Sequence, residues 1–155
     1  MISLILAGKV GSSIASELGS MRVTEQLDAL EIMGVNSASF LIFPKIIASI
    51  FFFPLLVIMS MGIGMVGAWI GGLSSDITTG TFLIGLKYEF NSFYVTYAII
   101  KTIFFAFIIS SVSSYCGYHT KGGAIAVGKS STQAVVSSSI LILLFNFILT
   151  DLILS

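Results

Sequence analysis

Two stretches of this sequence have the residue types and spacing that hold phosphate groups. Residues 123–130 read GAIAVGKS, a full match to GxxxxGK[ST], the loop in which backbone N–H groups and a lysine cradle a nucleotide. Gly62, Gly64 and Gly67 spell GIGMVG, the GxGxxG spacing of dinucleotide sites. Each pattern works only where a buried strand enters the glycine loop and a helix leaves it. The first also needs an Asp on another strand for magnesium, and the second an acidic residue about 20 positions on. Residues 123–130 lie instead between two apolar runs, and GIGMVG lies in the middle of the longest run, with Glu89 following a polar loop. No nucleotide site is predicted: a flexible connection accounts for the first motif and helix packing for the second.

Other reactive side chains are equally isolated. The single cysteine, Cys116, has no partner for a disulfide or a metal, and His119 has no Cys, Asp or Glu at ligand spacing. The serine groups at 110–114 and 137–139 lack a paired base and are expected to form hydrogen bonds between helices. No catalytic constellation and no metal site is predicted. One charge stands out. Lys101 interrupts an apolar run, and an ionisable group at that depth costs on the order of 3 kcal/mol. Asp151 is the nearest acidic candidate to compensate it; the alternatives are snorkelling toward the headgroups and contact with a lipid phosphate.

The elements that carry these residues are set by composition. The 155 residues are 56% hydrophobic and 9% charged, with a mean hydropathy of +1.07, which rules out a water-soluble fold. Seven basic and seven acidic side chains cancel, leaving no basic surface for nucleic acid. Three runs, 46–73, 93–118 and 132–154, are long enough to cross a bilayer. The opening MISLILAG is too short to cross and lacks the features of a signal peptide, so residues 1–20 read as the end of a preceding helix. Loops 9–45 and 119–133 hold Lys9, Arg22, Lys45, Lys121 and Lys129, whereas 74–92 holds Lys87 alone, which predicts that the first set is cytoplasmic. Trp69, Tyr88, Tyr94 and Tyr97 cluster at the opposite ends.

Within the first span Ser60, Gly64, Ala68 and Gly72 recur every fourth residue, and Gly67 to Gly71 reads GxxxG, a face that admits another backbone closely. A tight bundle or an oligomer is expected. Pro54 should bend this helix and Pro44 mark its start. The least lipid-like stretch, between Val10 and Phe40, predicts a short helix over 25–33 within 24–34, capped by Thr24 and closed by Gly34. On it Val23, Leu27, Leu30 and Met33 form an apolar stripe, and Glu25, Asp28 and Glu31 an acidic face. Helices that lie on lipid line their polar face with Lys and Arg, so this one suits a protein partner with a basic groove.

The stretch ELGSMRVTEQLDALEIMGVN, from Glu17 to Asn36, closely resembles the signature of the MlaE (YrbE) permease family, the membrane subunits of bacterial ABC-type lipid transporters that work with MCE proteins. The resemblance continues through FPKIIA at 43–48, the IIK before Thr102 and CGYHTKGGAIAVGKSSTQAVVSSS at 116–139, and so covers the whole chain. It implies a permease that dimerises and moves phospholipid, has no cofactor of its own, and leaves ATP and Mg²⁺ to a separate ATPase. The ATPase would dock through Glu25, Gln26, Asp28, Leu30, Glu31, Met33 and Gly34. The family's connection before the last helix is glycine-rich without a consistent GKS, which makes Lys129 and Ser130 chance completions of the phosphate motif. Similar permeases place an Asp where this chain has Asn146, which leaves Lys101, Asn146 and Asp151 as the intramembrane polar set. They also carry an interfacial helix and earlier membrane helices before the region where this chain starts, which suggests a truncated or misassigned start.

The expectation is therefore an all-α, polytopic membrane bundle of three full spans, the tail of a preceding helix and a cytoplasmic coupling helix. In the bacterial inner membrane it would act as the permease of an ATP-driven phospholipid transporter that maintains envelope lipid asymmetry. The alternative is a scaffold subunit that neither moves lipid nor engages an ATPase.

Overall fold

The computed structural model describes residues 1–73, 78–89 and 92–154, and helix dominates throughout. An N-terminal rod is built from α1 (Ile2–Leu6), a wide π turn (Ala7–Gly11) and α2 (Ser12–Val23). Then follow α3 (Gln26–Ile32), a second π turn (Ala38–Ile42) running into α4 (Phe43–Leu73), α5 (Thr79–Glu89), α6 (Ser92–Tyr118) and α7 (Ala124–Leu154). Three stretches, Ala38–Leu73, Ser92–Tyr118 and Ala124–Leu152, are long and apolar enough to span a membrane. The fold is an all-α membrane bundle.

Two helices begin earlier than the apolar runs suggest. The π turn is entered at Ala38, with the Asn36 Oδ1 accepting the Ser39 amide at 3.2 Å, and Pro44 stands in the first turn of α4 as expected, although the helical run begins before it. A proline donates no hydrogen bond to the preceding turn, and a wide turn directly before it is one way to accommodate that loss. Likewise α7 begins at Ala124, and residues 119–133 are not one flexible connection. Ala124, Ala126, Lys129 and Gln133 favour helix, and a single glycine within it is tolerated. The turn is made at Gly122, whose φ of +120° suits glycine alone. Lys129 and Ser130 are thus helical, which removes the glycine loop that a phosphate cradle requires. The expected outer connection contains a helix, α5; residues 74–77, 90 and 91 lie outside the described residues.

The central helix is α6, which packs on α2, α4 and α7. Ala7, Phe53, Phe105, Ala106, Ile109, Ile142 and Leu149 form the buried core between them. Close approach of α6 to the N-terminal rod depends on small residues. A Cβ on Gly117 would lie 2.7 Å from the Ala15 carbonyl oxygen, and one on Gly11 would lie 2.9 Å from the Ser113 hydroxyl.

These serine groups do not bridge helices as expected. The Ser110 hydroxyl donates to the Ala106 carbonyl at 2.7 Å and that of Ser138 to Val135 at 3.1 Å, each within its own helix, while the buried hydroxyls of Ser113 and Ser114 have no partner among the described residues. A serine on a helix can reach the carbonyl of its own preceding turn, so its contribution between helices is small size. From Gly62 to Gly67 the glycine face of α4 packs on no other helix of this chain among the described residues, which leaves it open to a second copy. Among the described residues, no other element comes within 4 Å of where a Cβ would stand on Gly62, Gly64 or Gly67; Ser60 is half-buried and Gly71 continues the face at the helix end. The α4 contact with α6 is made lower down, through Ser49, Phe53 and Val57.

Candidate functional site

At the end of the bundle where α2, α3 and α6 meet, polar side chains converge. Glu25 takes a left-handed backbone, φ +60°, and this kink separates α2 from α3. Thr24 does not cap α3: its hydroxyl turns back to the Ser20 carbonyl at 2.9 Å and closes α2. The other end follows expectation. Gly34 has φ +79°, its amide donates to the Glu31 carbonyl at 3.0 Å, and the Val35 amide donates to Leu30 at 3.1 Å. These two bonds satisfy carbonyls left open by the last turn.

The predicted stripe on α3 is divided. Leu27 is fully buried and Leu30 half-buried, whereas Met33 is 68% exposed and Ile32, outside the predicted stripe, 87% exposed. The acidic face is divided too. Asp28 is ion-paired with Arg22, and the Glu31 Oε1 accepts hydrogen bonds from Ser37 at 2.9 Å and Tyr118 at 3.0 Å. The hydrogen bonds from Ser37 and Tyr118, with the Arg22 charge nearby, hold the Glu31 carboxyl below its ordinary value. Two of the three acids are thus engaged by the protein itself. Outward from α3 stand Glu25, Gln26, Ala29, Ile32 and Met33, a surface more apolar than the acidic one expected. Beside it is a hollow of about 510 Å³, lined by Glu31, Gly34, Val35, Asn36, Ala38 and Tyr118.

Far along α6 lies the second polar group. The Lys101 ammonium donates to the Tyr97 hydroxyl at 2.7 Å and to the Thr150 hydroxyl of α7 at 2.8 Å, and sits 4.9 Å from the Tyr97 ring centre. Asp151 does not pair with it. One position beyond Thr150, Asp151 is turned about 100° round the helix and is exposed. Asn146 lines the same cavity, of about 220 Å³, as Lys101, Tyr97, Val57 and Phe105, but gives the ammonium no hydrogen bond. Among the described residues Lys101 has hydroxyl partners and no carboxylate.

Tyr97 was discoverable from sequence as a chemical partner, since it lies one helical turn before Lys101. Thr150 and Tyr118 were not, because their contacts with Lys101, Glu31 and Ser37 join positions 49 to 87 residues apart.

An apolar helix bundle, a short helix presenting hydrophobic side chains at one end and a hydroxyl-bound lysine within a span define a polytopic membrane protein. The chain belongs to the MlaE permease family: the family profile, described as Permease MlaE, matches residues 1–152. A probable ABC transporter permease protein of Rickettsia bellii is 42% identical over 153 residues, 98% of this chain and 59% of its own length. A probable ABC transporter permease protein of Synechocystis is 35% identical, covering 97% of this chain and 57% of the relative. The chloroplastic protein trigalactosyldiacylglycerol 1 of Arabidopsis thaliana is 36% identical over 96% of this chain and 43% of its own. The chain thus spans under two thirds of the length of these curated relatives.

Proposed function

We propose that this chain is the ATPase-coupled portion of a permease that moves phospholipid across or out of the bacterial inner membrane and contributes to envelope lipid asymmetry. A separate ABC-type subunit binds ATP and Mg²⁺, seats on the outward surface of α3, and drives two permease copies that exchange lipid with an MCE-domain protein. The observation that carries the reading is the exposed Ile32 and Met33 pair on a helix two of whose acids are already occupied. Apolar side chains held out on a short, fixed helix favour a protein groove, and acids already bound to Arg22 or to hydroxyls leave less charge to be stripped of water on docking. Relatives named as ABC transporter permeases support the same partner class.

Lipid as the cargo is supported by Lys101. Its charge, without a carboxylate and beside a cavity walled by Val57 and Phe105, suits an anionic headgroup whose chains remain in apolar surroundings. The Arabidopsis relative carries the name of a diacylglycerol glycolipid. Substituting Ile32→Ser with Met33→Ser in the full-length protein tests the docking surface. The expected result is loss of the co-purified ATPase with the membrane bundle still resistant to heating; undiminished ATPase recovery would contradict it and favour a scaffold.

A further inference from the structure

The contacts of Tyr118 point beyond docking. It is the last residue of α6, and its hydroxyl meets Glu31 of α3 at 3.0 Å and Ser37, in the segment leading to α4, at 3.2 Å. Ser37 also donates to the same carboxylate oxygen at 2.9 Å and is 1% exposed. Each hydroxyl has one proton, so when both donate to Glu31 the Ser37–Tyr118 approach is a contact of neighbours, and the carboxylate holds the pair together. Arg22, at the end of α2, completes the set: its guanidinium lies 5.8 Å from the Tyr118 ring centre while bonded to Asp28. Four segments converge on one aromatic ring.

Apart from Leu27, α3 has no fully buried residue, and its hydrogen bonds to the far side of the bundle run through Glu31 and Tyr118. The Tyr118 hydroxyl donates to a carboxylate, a stronger acceptor than a neutral oxygen, so a displacement of Glu31 is felt at Tyr118. Tyr118 and Lys101 are on the same continuous helix, α6, whose rigid hydrogen-bonded backbone carries axial movement from one to the other.

We propose that Tyr118 is a positioning residue that links movement of α3 to α6, so that force applied to α3 reaches the Lys101 site. This inference rests on the coupling role of α3 proposed above. It needs the hydroxyl and the ring together, since the hydroxyl donates to Glu31 and the ring faces Arg22.

The test uses the full-length permease in its complex with the ATPase, reconstituted in vesicles of phosphatidylethanolamine and phosphatidylglycerol. Tyr118→Phe keeps the ring and removes the hydroxyl; Ser37→Ala, read in the same way, guards against a folding defect in the first variant. Three quantities are read: ATPase recovered with the permease, ATP hydrolysed, and lipid moved per ATP. The expected result is normal ATPase recovery and hydrolysis in both variants, with lipid moved per ATP reduced roughly fivefold in Tyr118→Phe, the scale of one lost coupling interaction, and reduced less in Ser37→Ala, which leaves the Tyr118–Glu31 hydrogen bond in place. A purely structural role would lower recovery and hydrolysis together and overturns the proposal, as does an unchanged ratio of lipid to ATP. Failure of the unaltered permease to retain any ATPase instead overturns the reading of α3, and the link with it.

Discussion

Lys101 and Glu31 are two charges handled in opposite ways. Among the described residues the ammonium donates to neutral hydroxyl oxygens, those of Tyr97 and Thr150, and meets no carboxylate, which leaves it open to an anionic ligand. In the full-length protein Lys101→Met should cut lipid transfer about tenfold, equivalent to one charged contact, with ATPase recovery unchanged; transfer at the unaltered rate would remove Lys101 from the lipid path. Glu31, by contrast, accepts two hydrogen bonds that favour its charged form and depress its pKa. A group depressed in the folded protein lends stability that is present above its unfolded pKa and is lost as pH falls through the folded value. The Glu31–Tyr118 link should therefore persist through the range in which free glutamates protonate and open only below it. Hydrogen exchange of the α3 amides across a pH series checks this, once corrected for intrinsic rates; opening at or above the ordinary glutamate pKa would contradict it.

At the scale of elements, the α2–α6 crossing is the tightest. A Cβ at Gly117 meets backbone of Ala15, which cannot swing aside as a side chain can, so Gly117→Ala should cost about 2 kcal/mol. The same change at Gly64 finds open space among the described residues and should leave the stability of the isolated chain unaltered or slightly raised. Thermal unfolding in detergent compares the two directly, and a large loss at Gly64 only in the assembled complex would report a second copy against that face. The spans themselves were legible because apolar runs of this length have few other solutions. The early starts of α4 and α7 were not, since Ser39 and Pro44 lie at the beginning of one and Gly122, Gly123 and Gly128 around the beginning of the other, residues that read as punctuation until helix continuity from the membrane segment outweighs them. A helix within residues 25–33 was recognisable through Gly34 and the apolar spacing, though it runs only from Gln26 to Ile32, and which acids face inward depended on Arg22 and Tyr118, partners brought near by folding alone.

For the whole molecule, the N-terminal rod places Met1 and Ile2 beside the Lys101 cavity and Arg22 beside Tyr118 at the opposite end of α6, so that rod and α6 run the length of the bundle together. A charge in one half and the proposed docking surface in the other are thus joined by two packed helices. This arrangement explains why the local motifs misdirect: GAIAVGKS is the beginning of a membrane helix, and the chemistry of ATP is assigned to the proposed partner subunit. The central claim is that α3 receives that partner. A photoreactive residue in place of Ile32, in the full-length protein in intact cells, tests it most directly. A crosslink to an ATP-binding subunit is the expected result. Crosslinks to lipid alone, with no protein adduct, would contradict it.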